Sequence, residues 1–298
     1  MKHRTATMQF APLVALLLLA LSAHPLIGQK GASLAPEAEV SPWMRAVFGN
    51  YDTKSQTSRA AVPGDNPDLK GSGFSPGDPL VVHPLWSSQY GDPALHQWVL
   101  LTYAVPFDPN WKPLVPEDQP FSCHACSPLI GMYLLTATGG QWHADASSVN
   151  VTRAGGWGEP PSGIREISVG LHHAGIEIPD AWQGGGETSK AIQNLTFWQN
   201  KPSLSILAST GDDNLGNCAS TPADALPPWS LPPCYRWKKT LTFVKRPSSD
   251  FDDIVLTLSG TNLDDSSKLH QVSGIQMFRY KNGKYVLFSQ HGSAASAF

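Results

Sequence analysis

From residue 79 onward, short apolar runs alternate with polar positions and are broken by glycine and proline. Leu80-Val81-Val82 and Trp98–Val105, the latter closed by Pro106, read as strands. The run Leu129–Leu135 is almost wholly apolar and is bounded by Pro128 and Gly139-Gly140, which predicts a short buried strand rather than a helix. Gly-Gly between two such arms is a hairpin signal, and the second arm starts with Gln141 and Trp142. Ile164–Leu171 places Ile167, Val169 and Leu171 on one face of a half-buried strand. Gly184-Gly185-Gly186 marks a turn, and Ala191–Trp198 fits either a strand or a short helix. Leu204, Ile206 and Ala208 alternate, as do Leu241 and Phe243, then Ile254, Leu256 and Leu258. Ile275–Tyr280 and Tyr285–Phe288 flank Asn282-Gly283, the strongest short hairpin signal in the chain. Helix is expected once, with Ser41 as N-cap, Pro42 at the first helical position and Trp43–Phe48 as its body. The expected fold is therefore mainly β: antiparallel, hairpin-rich sheets, sandwich or propeller-like, with long Pro/Gly-rich loops and little helix.

The N-terminal end changes the setting. Lys2, His3 and Arg4 precede an apolar core, Phe10–Leu21, of about a dozen residues, followed by small and turn-forming residues up to Gly28. That order predicts a signal peptide over 1–28, too short in its apolar part for a good membrane span, and hence a secreted or periplasmic protein. Residues 29–78 read as a flexible lead holding the one short helix, and 79–298 as the β-rich domain. The two stretches IGMYLLTATGGQW and IQMFRYKNGKY share an Ile, a Met and an aromatic before a glycine turn, which suggests two related halves split near residue 200.

Composition narrows the partners. Charged residues make up 15% of the chain and the formal net charge is −3, so there is no electrostatic footprint for nucleic acid. The 26 glycines and 26 prolines fit a loop-rich β protein. Four cysteines follow the signal segment, and local pairing gives Cys123–Cys126 and Cys218–Cys234. For the Cys-His-Ala-Cys loop a structural disulfide leads. A redox pair or a metal site completed by His124, His143, His172 or His173 stands as an alternative. Ser127 after Cys126 rules out covalent haem attachment by that motif.

The segment SSDFDDIVLTLSGT followed by MFRYKNGKY resembles a blade of secreted FG-GAP or VCBS-type repeat proteins. In that family an acidic loop precedes an apolar strand and a later hairpin. Ser249-Asp250-Phe251-Asp252-Asp253 lacks the family's Asp-x-Asp-x-Asp-Gly spacing, so the resemblance carries no calcium ligand to this chain. The middle segment with its Cys-His-Ala-Cys also resembles secreted bacterial proteins of uncharacterised activity.

No nucleophile elbow, P-loop or dinucleotide fingerprint is present in the sequence. Glu159, Glu166, Glu177 and Asp180 are the carboxylates available for acid/base work. Trp142 and Trp157, beside glycine-rich loops, with Trp182 and Trp198 beyond, are candidates for an aromatic ligand platform, and His124 and His143 are candidate ligand contacts. Asn150 and Asn194 open glycosylation sequons. No cofactor is expected, with calcium or zinc as the alternatives. The reading is an exported, non-enzymatic binding protein for an extracellular or envelope partner, glycan or protein. The runner-up is a secreted hydrolase or metal-binding protein whose His, Asp and Glu residues form no linear motif. The cysteine spacing predicts that a non-reduced digest releases peptides linked 123–126 and 218–234. A 123–218 or 126–234 link would refute the pairing.

Overall fold

The alternation closes into hydrogen-bonded strands in a computed structural model of the chain. It describes residues 37–64, 75–91, 95–106, 127–156, 159–171, 173–219 and 231–293, all within one compact unit, Gly31–Phe298. The expected signal segment 1–28, the Cys123–Cys126 loop with His124, and also Trp157 and His172, lie outside the described residues.

The first sheet runs in the order β1 (Ser58–Ala61), β2 (Pro79–Gln89), β3 (Gln97–Pro106), β4 (Leu129–Thr138), β5 (Gln141–Arg153). The second is a meander of β6 (Arg165–Gly170), β7 (His173–Gly184), β8 (Glu187–Trp198), β9 (Lys201–Asp213), β10 (Arg236–Val244), β11 (Asp253–Leu263), β12 (Leu269–Lys281) and β13 (Lys284–Gly292), each strand beside the next. Every pairing is antiparallel, and the fold is mainly β and hairpin-rich, as expected. The break between sheets falls between Arg153 and Arg165, and residue 200 lies in the β8–β9 turn.

Helix α1 (Glu37–Phe48) begins ahead of the expected Ser41 cap, with Pro42 inside it. Proline in a helix forfeits a hydrogen bond and clashes, at about 3 kcal/mol. The spacing Val40, Trp43, Met44, Val47, Phe48 offsets that loss, because it sets one apolar stripe against Leu80, Val82, Leu100, Leu129, Tyr133 and Leu135 of the first sheet. Trp43 is wedged between Trp98, 5.1 Å away, and Trp142, edge-on at 5.6 Å. Strand β1 lies inside the expected flexible lead, residues 29–78, yet pairs with β2 beside this helix.

The opposite faces of β3 and β4 are buried too. Val99, Leu101, Ile130 and Met132 pack with Trp86 against Ile176, Ile178 and Leu195 of the second sheet. Side chains alternate along a strand, so burial on both sides requires the continuous apolar run seen from Leu129 to Leu135.

The second sheet curls. The Leu171 N–H donates to the Asp250 carbonyl (2.8 Å) and the Asp252 N–H to the Val169 carbonyl (2.9 Å), so β6 meets the segment that enters β11. Val169, Ile206, Phe251, Ile254, Leu256, Tyr280 and Tyr285 fill the concave side. Leu171, expected on the buried face with Ile167 and Val169, is 56% exposed, because β6 ends at Gly170. The stretch Ala191–Trp198 is strand, and its turn is Gln199-Asn200, both at positive φ without any glycine. Cys218 and Cys234 are bonded.

Asn282 (φ 52°) and Gly283 (φ 85°) form the expected two-residue turn between β12 and β13. A Cβ on Gly283 would also stand 3.0 Å from the Trp198 ring. Gly283→Val is expected to cost at least about 1 kcal/mol, from the positive φ alone. Thermal unfolding checks this, and an unchanged midpoint would contradict it.

Candidate functional site

The aromatic and histidine residues singled out in the sequence are dispersed. Trp142 is half-buried against Trp43 and helps to hold α1, while His143 is exposed opposite Thr136 on the β4–β5 hairpin. Trp198 joins the concave core of the other sheet, beside Phe251 and Tyr280. Trp182 is exposed on β7. His173 stacks on Phe251, with ring centroids 4.0 Å apart. Among the described residues, no three His, Cys, Asp or Glu side chains are grouped to hold a metal ion. Asn150 and Asn194 are both buried in the folded chain.

The four named carboxylates have four different surroundings. Glu177 is buried and ion-paired with Arg165 (2.5 Å). Asp180 accepts the Gly155 N–H (3.0 Å) and Gln193 Nε2–H (3.4 Å), and Gln193 in turn bonds Thr152 and donates to the Arg153 carbonyl. This network ties the exit of β5 to β7 and β8 where the chain crosses between sheets. Glu166 accepts a hydrogen bond from Ser88 Oγ (2.9 Å), and burial pushes its carboxyl above the usual range despite that bond. Burial raises the Tyr103 phenol, and the charge of nearby Glu159 adds to the effect. Tyr103 stacks on His83 at 4.7 Å, and burial lowers the imidazole pKa, which favours its neutral form. These contacts give the crossover a structural explanation that needs no substrate.

The convex face of the C-terminal meander is different. Register sets Val244 beside Asp253 and Arg279 beside Val286, and the Arg279 Nε–Asp253 ion pair (3.5 Å) joins the two pairs into one row. Val255, Met277 and Ser289 form the next row, and Thr257, Ile275 and His291 the one after. Lys281 and Lys284 face each other at the turn, one strand step beyond Arg279 and Val286, and so on the same face. A register shift in β13 brings Phe288 under Arg279, whose guanidinium lies 3.3 Å from the ring centroid. The exposed fractions are 43% for Val244, 44% for Ile275, 49% for Val286 and 55% for Phe288. Large apolar side chains left exposed side by side on a sheet mark an interaction surface more often than a solvated face.

The acidic loop before β11 contributes to this face from within. Phe251 turns inward and stacks between His173 and Tyr280. Asp253 is nearly buried between Arg246 (3.6 Å) and Arg279 (3.5 Å), so arginines occupy the position that an acidic loop would offer to a cation. The sequence carried a signal for the exposed face: with Ile254, Leu256 and Leu258 turned inward, the intervening positions must point outward.

No protein-family model matches the chain, and comparison with curated proteins and with solved structures finds no similar one. Among the described residues, no helix is long and apolar enough to cross a membrane.

Glu166 yields a pH test. Its folded-state pKa is raised, so the folded chain holds the proton more tightly, and stability falls as pH climbs from the ordinary carboxylate range through the raised value. Glu166→Gln removes that loss while keeping an acceptor for Ser88. The variant is expected to gain stability relative to the wild type between about pH 4 and pH 8, with the smallest difference at the acid end. Thermal midpoints across that range check it, and parallel curves would refute it.

Proposed function

We propose that this chain is an exported, non-enzymatic binding protein that attaches to a partner in the cell envelope through the convex face of β10–β13. The observation that carries this reading is that Val244, Ile275, Val286 and Phe288 are all exposed on one sheet face. The N-terminal basic and apolar pattern supports the export half of the reading. The resemblance of the same segment to secreted FG-GAP or VCBS-type repeats accords with a role outside the cytoplasm. A glycan partner is less well served, since Trp142 and Trp198 are engaged in packing.

The test is direct binding. Purified mature chain is expected to sediment with isolated envelopes of its source cells, and Phe288→Asp with Ile275→Asp is expected to weaken that binding about tenfold or more. Truncating central apolar contacts typically has effects of this size. Both residues are exposed, so circular dichroism should be unchanged. Sustained turnover on a hydrolase substrate panel, or envelope binding untouched by the two substitutions, would overturn the reading in favour of an enzyme or another surface.

A further inference from the structure

We infer that the envelope partner of this face is the surface of an anionic lipid bilayer, an inference that rests on the binding reading above. Its basis is the meeting of exposed apolar side chains with segregated positive charge. Residues 236–298 hold nine lysines and arginines against five aspartates, in a chain whose formal net charge is −3. Five of the nine lie at the Val244 and Val286 end of the strands, whereas Arg236, Lys238, Lys239 and Lys268 lie toward the β11–β12 turn. Lys245 and Arg246 follow Val244 directly, while Lys281 and Lys284 face each other one strand step from Arg279 and Val286.

The aspartates offset the arginines and Lys245 but, among the described residues, none is ion-paired with Lys281 or Lys284. Asp264 and Asp265 lie in the β11–β12 turn, at the opposite end of those strands from Lys281 and Lys284. Asp253 is taken up by Arg246 and Arg279. Asp250 and Asp252 stand in the segment whose backbone is bonded to β6, where Asp252 is close enough to Lys245 to feel its charge.

An apolar group that enters the headgroup region and a cluster of lysines that meets anionic lipid are the two signals that together give stable surface attachment. Val244, Val286 and Phe288 supply the first, and Lys281 and Lys284 the second. A second copy of the chain fits this face poorly, because face-to-face stacking would oppose lysine to lysine. A neutral or purely apolar partner would leave the lysine pair without a role.

The experiment is co-sedimentation of the full mature chain with vesicles of phosphatidylcholine alone, or of phosphatidylcholine with phosphatidylglycerol, at low and high salt. Binding is expected only to the phosphatidylglycerol vesicles and should weaken as salt is raised. Lys281→Glu with Lys284→Glu is expected to lower it at least about tenfold, and the uncharged Phe288→Ser to lower it without changing the salt slope. The lysines are exposed turn-flanking residues, and the salt series on the wild type needs no variant. Equal binding to both vesicle types, or no effect of the lysine reversals, overturns the inference. So does a lipid-free dimer abolished by Phe288→Asp, which would assign the face to a second copy. If wild-type chain binds source-cell envelopes through Phe288 but ignores phosphatidylglycerol, the lipid inference fails and the binding reading stands. If it ignores envelopes as well, both fail.

Discussion

Burial of both faces of β3 and β4 is the constraint on which the rest of the fold depends. Leu100, Leu129, Tyr133 and Leu135 look one way, Val99, Leu101, Ile130 and Met132 the other, and neither set can be left in water. Each such side chain is worth roughly 1.5–3 kcal/mol when fully buried. Helix α1 covers one side and the second sheet the other. The demand is strong enough to hold Pro42 inside a helix, where it would otherwise end one. The crossover network of Asp180, Gln193, Thr152 and Gly155 follows from the same demand, since a chain passing between two apolar layers must satisfy its polar groups locally.

The second sheet meets its own constraint by curling. Its inner face is filled by Phe251, Tyr280, Tyr285 and their aliphatic neighbours, and β6 meets residues 250–252 by backbone hydrogen bonds. That closure commits the acidic loop to structure: Phe251 is drawn inward and Asp253 is fixed by two arginines. It also leaves β13 at the end of the sheet order. The irregularity between Met277 and Phe278 in the β12–β13 register disturbs the ladder beside this edge, the kind of feature that discourages indiscriminate strand addition. Exposed apolar surface is therefore offered on the convex face more than along the edge.

The carboxylates at the crossover between the sheets each have a partner. Glu177 has Arg165, Asp180 has an amide and a backbone N–H, and Glu166 has Ser88. Other buried polar atoms have no hydrogen-bond partner among the described residues: Trp43 Nε1, Ser58 Oγ, Trp86 Nε1 and both amide atoms of the fully buried Asn194. A buried amide in that condition opposes folding by about 1–3 kcal/mol.

Much of the architecture was legible in the sequence because strand alternation and turn chemistry are local. Leu129–Leu135, the Gly139-Gly140 and Asn282-Gly283 turns and the Cys218–Cys234 bridge needed only neighbouring residues to declare themselves. The turn at Gln199-Asn200 was not legible, because pairing of the flanking strands imposes positive φ on residues that do not demand it. Nor was the early start of α1, which is decided by the sheet beneath it. The candidate surface was half visible. Alternation says which residues share a face, but not whether that face meets another layer or water. Whether Trp142, Ile275 or Phe288 is core or surface depends on what the distant chain lays over it, and only tertiary packing settles that.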